Sequence, residues 1–244
     1  MKIILSIALT LTYAASAMAE DVYSDQFQTI QSVEFAEIIT DENGNEKEVI
    51  LEDREAPKFE DQFEVYAGSS NKSDIGTIIM VTEKLIALGE KIYKIVERGR
   101  PVVDLQSEPI EILPRDDKGQ AISAMQLHGW KAPISRKYKV TTKNYLGMKP
   151  ASFEFMLIYS YGGQNRGSGR YITGAQIKPT SVDVKWGYKL DAKFYVQSIM
   201  NQGTEENPVA GATLMIDYKI STVLQDSTNN KTFFINGLGQ VQTY

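Results

Sequence analysis

The sequence predicts an α+β fold that is mainly β: an antiparallel β-sandwich, preceded by one long amphipathic helix and an acidic N-terminal segment with a β-hairpin. Three observations carry this. Ser181–Gln197 reads SVDVKWGYKLDAKFYVQ, with Val182, Val184, Trp186, Tyr188, Leu190, Ala192, Phe194 and Val196 at every even position and mostly charged residues between them. That two-residue period is a strand with one apolar face. Between residues 73 and 99, Ile78, Ile79, Leu85, Ile86, Ile92, Tyr93 and Val96 recur at three- and four-residue spacing, the period of an apolar helical stripe. Asn43-Gly44 lies between two alternating runs and marks a tight hairpin turn, because both residues tolerate positive φ.

The chain divides into four parts on this reading. Residues 1–19 form a Sec-type signal peptide: Lys2, an apolar stretch from Ile3 to Tyr13, and the small-residue end Ala17-Met18-Ala19. The apolar stretch is too short for a bilayer core of ~30 Å. Residues 20–72 form the acidic segment. Residues 73–99 form the helix, capped by Ser73 or Asp74, supported by Glu90 and Lys94 four apart, and ended at Gly99. Gly89 within its stripe would admit another backbone closely. Residues 101–244 form the sandwich, with strands expected at 102–106, 110–113, 121–128, 135–142, 152–161, 171–178, 182–197, 212–223 and 231–236. A span of 182–197 is overlong for one strand, so Gly187 is expected to bend it.

Export and composition exclude several function classes. The chain has no cysteine, so disulfides and thiol nucleophiles are absent. His128, in LHGWKAP, is the only histidine. A catalytic triad would have to use it, no G-x-S-x-G turn accompanies it, and a strand-end contact beside Trp130 is the simpler role. One histidine and no cysteine do not supply a zinc site. Asp41, Asn43 and Asn45 alternate as in a calcium loop, but Gly44 stands at the fourth position rather than the sixth, and Glu52 falls within the strand pattern. GGQNRGSGRY has the glycines of a phosphate loop in the wrong order, between two strands. No cofactor and no metal are therefore expected.

Charge is unevenly placed. From Glu20 to Ser70 the chain carries 15 acids and three bases, and from Asn71 onward 22 bases and 16 acids. The two halves are complementary, within one molecule or between two, so the acidic segment is a candidate surface for self-association. No dense basic tract points to nucleic acid.

The leading expectation is an exported, non-enzymatic interaction or structural protein of the periplasm or cell surface, with a protein partner or a second copy as its target and no particular ligand identified. Loops on a rigid sandwich commonly carry recognition. The candidate binding loops hold Gln164, Asn165, Arg166 and Arg170 on one side and Glu205 and Glu206 on the other. Ile78, Leu85, Gly89 and Ile92 form a candidate interface on the helix.

Three alternatives fit parts of the sequence. An outer-membrane β-barrel needs 9–11 alternating residues in every strand, which Ser181–Gln197 meets and the shorter, proline-flanked strands do not. A membrane-active protein resembles pore-forming cytolysins in placing an amphipathic helix ahead of a sandwich, without their motifs and with mixed charge on the helix, so membrane contact is not favoured. A carboxylate-dependent hydrolase needs only two acids close in space, which sequence does not display.

Overall fold

The computed structural model describes residues 24–52, 64–65, 78–90, 92–102 and 108–244. The signal-peptide reading and the expected strand at 102–106 fall, wholly or nearly so, outside these residues. Fifteen strands follow one another: β1 (Ile30–Thr40), β2 (Glu46–Ile50), β3 (Glu64–Val65), β4 (Ile78–Val81), β5 (Leu85–Leu88), β6 (Tyr93–Glu97), β7 (Arg100–Pro101), β8 (Ile110–Pro114), β9 (Ile134–Asn144), β10 (Ala151–Asn165), β11 (Ser168–Val184), β12 (Lys189–Asn201), β13 (Ala210–Ser221), β14 (Asp226–Asn236) and β15 (Val241–Thr243). They form two antiparallel sheets. The larger runs β2-β1-β9-β10-β11-β8-β5-β4-β3, and the smaller β15-β14-β13-β12-β6-β7.

The apolar faces of the two sheets meet. Phe35, Tyr138 and Phe155 of the larger sheet cluster with Phe233 of the smaller, with ring centroids 6.2, 4.9 and 6.1 Å from it. Phe153 packs edge-on against Tyr218, 6.0 Å away. All six rings are buried. Such aromatic pairs add to area burial through their ring quadrupoles. The Tyr138 hydroxyl shares a 3.2 Å hydrogen bond with Thr243 Oγ1 across the sheets, and burial raises its pKa to about 12.

The long helix is absent: residues 78–97 form three strands in two sheets. The stripe is built largely from apolar pairs, such as Ile78-Ile79, Leu85-Ile86 and Ile92-Tyr93. Adjacent apolar residues satisfy a helical period, and they also suit a strand covered on both faces. In β5 all four residues, Leu85 to Leu88, are buried. Many positions here are β-branched, which favours strand over helix. Thr82 then closes the β4–β5 turn, its hydroxyl accepting from Leu85 N at 3.0 Å.

The Ser181–Gln197 segment is two strands joined by a turn. β11 ends at Val184 in the larger sheet and β12 begins at Lys189 in the smaller. Lys185 N donates to Pro150 O at 2.8 Å, and Tyr188 N to Lys185 O at 3.1 Å. Gly187 sits in the turn with φ +86°, a conformation glycine adopts without steric cost. Trp186, expected on the inner face, stands 86% exposed at this corner.

The β1–β2 hairpin turns at Asn43-Gly44. The Asp41 carboxylate accepts from Asn43 N, Asn45 N and Asn45 Nδ2, and the Asn45 bonds lower its pKa. The hairpin lies on the edge of the larger sheet, where its acids meet basic strands. Glu46 and Glu48 pair with Lys137 and Lys139 at 3.1 and 2.7 Å. Glu154 bridges the same two lysines at 3.1 and 3.3 Å. Glu37 pairs with Arg136, and Glu34 with Lys143. For these residues the charge asymmetry of the chain is met within one molecule.

Three outcomes follow from this packing. Phe233→Ala should lower the unfolding free energy by about 3–5 kcal/mol, read by urea denaturation. Gly187→Ala should cost about 1–2 kcal/mol, because a Cβ opposes the left-handed conformation. Burial raises the Glu154 carboxyl, but hydrogen bonds and charge from Lys137 and Lys139 outweigh it and hold the group below its usual value. A depressed carboxylate stabilises the fold above its unfolded pKa, and this is lost as pH falls through the folded value. Glu154→Gln should therefore cost about 1 kcal/mol at neutral pH. The difference from the parent protein should close under acid, measured by denaturation across pH.

Candidate functional site

The candidate site occupies one end of the sandwich, where three loops distant in sequence are hydrogen-bonded together. The β10–β11 tip turns at Arg166 (φ +50°) and Gly167. On one side it meets the segment between β8 and β9. His128 N donates to Gln164 O at 3.0 Å and Gln164 N returns a bond to His128 O at 2.7 Å. On the other side it meets the β12–β13 loop. Gly169 N donates to Asn207 Oδ1 at 2.8 Å, Arg170 N to Pro208 O at 2.8 Å, and Ser168 Oγ to Glu206 O. The β14–β15 turn joins through Gly237 N, which donates to Ala210 O at 2.7 Å.

Local chemistry fixes each loop. Asp116 accepts from Lys118 N and Gln120 N at 2.9 and 2.7 Å, closing its own turn. Asn201 Oδ1 accepts from Gly203 N and Val209 N, both at 2.9 Å, and so draws the two ends of its loop together. Asn and Asp side chains hold turns in this way because they reach nearby backbone donors. Trp130 Nε1 donates to Ala124 O at 3.2 Å. Its ring lies so near Gly163 that a Cβ there would approach it to 2.5 Å. The segment at 121–128, expected as a strand, is instead irregular, with a short 3₁₀ turn at Ala124–Gln126.

An open groove of about 660 Å³ lies along this end, lined by Arg115, Asp116, Asp117, Gln126, His128 and Arg166, with Ile122 and Asn165 completing the wall. Arg115 is held from behind: its Nη1 donates to Thr82 O at 2.6 Å and its Nε to Gly119 O at 3.3 Å. Asp117, Gln126, His128 and Arg166 are exposed. The groove therefore carries opposite charges on a braced base. No group of three or more His, Cys, Asp or Glu residues suited to a metal occurs among the described residues.

The structure brings the two sequence-predicted loops into contact. Asn165 and Arg166 face the groove. Arg170 is half-buried beneath the tip, its Nη1 donating to Gly169 O at 2.7 Å. The Gln164 amide, turned with its oxygen towards the guanidinium, accepts from Arg170. Glu205 and Glu206 are exposed on the neighbouring loop. Sequence reading missed Arg115, Asp117 and Gln126, because a two-residue period assigned their segment to strands and loops without showing that it folds back onto the tip.

The candidate interface residues are dispersed. Ile78 belongs to β4 and pairs with Leu88. Leu85 is fully enclosed and Ile92 is 51% exposed before β6. Gly89 does admit another backbone, since a Cβ there would lie 3.2 Å from Ile110 Cα, but it does so beside a strand. Two further hollows, of about 610 and 650 Å³, flank Leu51 at the open edge between β1–β2 and β14–β15. Both are bounded by the chain leaving Glu52, whose continuation lies outside the described residues.

No known family model matches this chain, and no curated protein or solved structure is significantly similar to it.

Asn207→Ala should loosen the contact between the two predicted loops. Loss of one buried-side acceptor costs about 1 kcal/mol. Exchange of the Gly169 amide should rise by about fivefold, read by NMR, with the amides of β10 and of β11 beyond Arg170 unchanged.

Proposed function

We propose that the protein is an exported, non-enzymatic interaction protein that holds a protein partner at the groove-bearing end of its sandwich. The observation that carries this reading is the bracing of loops from residues 115–131, 162–170 and 201–209 into one surface. A preorganised surface binds without the entropic cost of ordering its loops on contact. Asp117 and Arg166 at the groove supply opposite charges, which favour a partner segment carrying both signs and fix its register. Export is supported by the N-terminal sequence, with Lys2, the Ile3–Tyr13 stretch and Ala17-Met18-Ala19.

The competing readings have less support. A lipid-facing barrel needs apolar outer faces, whereas the outward residues here include the Lys193–Asp217 and Lys219–Asp226 pairs and the Lys137–Glu154–Lys139 bridge. A cytolysin-like mechanism rested on the helix that β4 to β6 replace. For a hydrolase, Asp116 in the groove is committed to its own turn. Self-association through the acidic segment loses its motive where Glu34, Glu37, Glu46 and Glu48 are paired in the same chain.

Photo-crosslinking in the producing cell tests the reading. A photoreactive residue at position 117 or 166 should capture one discrete protein partner. The same residue at Lys178, which is exposed on β11, should not. Arg166→Glu should reduce the yield from position 117 severalfold. Equal capture from all three positions, or none from 117 and 166, would overturn the proposal.

A further inference from the structure

The opposite end of the sandwich is chemically different. Ten large apolar side chains are exposed among the described residues, and five of them stand here: Tyr145 (60%), Met148 (46%), Trp186 (86%), Val223 (82%) and Leu224 (53%). They occupy three separate connections, β9–β10, β11–β12 and β13–β14. Each connection is held rigidly. Asn144 Oδ1 accepts from Leu146 N and Met148 N at 3.1 and 2.9 Å. Lys185 N donates to Pro150 O at 2.8 Å. Thr222 Oγ1 accepts from Leu224 N and Gln225 N at 3.2 and 2.9 Å.

A helical turn at residues 24–28 ties these connections together. Phe27 O accepts from Asn144 Nδ2 at 3.0 Å and from Tyr188 Oη, and the Phe27 ring meets Tyr188 edge-on at 5.7 Å. Ile30 N donates to Gln225 Oε1 at 3.0 Å. The exposed side chains are thus neither frayed nor accidental to mobile loops. They are apolar tips on a built surface, where a concentration of exposed apolar residues marks an interaction site.

We infer that this end docks on a lipid bilayer surface. Tryptophan and tyrosine are the residues favoured at the headgroup level, where an amphipathic ring meets both apolar and polar surroundings. Separate tips suit a deformable bilayer, which fills the spaces between them. A second copy or a rigid partner would require a continuous complementary face. Lys149 is exposed beside Met148, placed for an anionic headgroup, while Lys185 beside Trp186 is paired with Asp183 at 3.0 Å.

Trp186 supplies its own probe, since the chain has two tryptophans and Trp130 is the other. The test uses the chain from Glu20 onward, which retains every described residue but removes the apolar stretch. In a Trp130→Phe background, Trp186 emission should shift to shorter wavelength on adding phosphatidylethanolamine–phosphatidylglycerol vesicles. The protein with both tryptophans should float with the vesicles in a density gradient. Val223→Ser with Leu224→Ser should reduce the floated fraction about tenfold, and Trp186→Ser should do so independently. Arg166→Glu, at the other end, should leave it unchanged. No flotation and no shift would overturn the inference. So would a shift that appears on concentrating the protein without vesicles, since that would assign the surface to a second copy.

Discussion

The crossing from Val184 to Lys189 is the constraint on which the architecture turns. Four residues carry the chain from the larger sheet to the smaller. The connection has an even number of residues, so inward positions stay even-numbered: Val182 and Val184 before it, Leu190, Ala192, Phe194 and Val196 after it. The inner face of one sheet therefore becomes the inner face of the other. This lets the cluster of Phe35, Tyr138, Phe155 and Phe233 form between them. A one-residue change in the turn would send the β12 set outward and the lysines and aspartates inward.

The same crossing explains what sequence reading could and could not recover. Parity carried through the turn made two strands look like one. Gly187 was legible as a break, but not as a change of sheet, because partners lie far away in sequence. Trp186 was assigned inward by parity, yet the turn leaves it outside. The region 78–97 failed for another reason: apolar pairs carry both helical and buried-strand periods, and only the packing against β8 and β12 selects between them. Strands with a single clean period, such as β9, β10 and β13, were recovered to within a few residues. The two candidate loops were recognised by their turn residues. Their contact with each other, and the groove that Arg115 and Asp117 complete, depended on tertiary folding.

With both apolar faces enclosed, the charges of the chain have clear places. On the outer side of the larger sheet, acids of the N-terminal hairpin meet the lysines and arginine of β9, and Glu154 joins in from β10. Each exposed pair is individually weak, but shared partners make a network across β2, β9 and β10. The hairpin is thereby an integral edge of the sheet rather than a detached acidic arm. The proposed sites lie at the ends, where backbone ladders stop. One end is braced, polar and grooved. The other bears apolar tips beside Phe27 and Ile30. The two ends differ in kind, which suits the proposed partner groove at one and the proposed bilayer contact at the other.

Hydrogen exchange across residues 182–196 tests the crossing most directly. The account predicts slow exchange through Val184, a window of fast exchange at Trp186 and Gly187, and slow exchange again from Leu190, where β12 is covered by β13. Unbroken protection from 182 to 196 would mean a single continuous strand and would contradict the two-sheet arrangement.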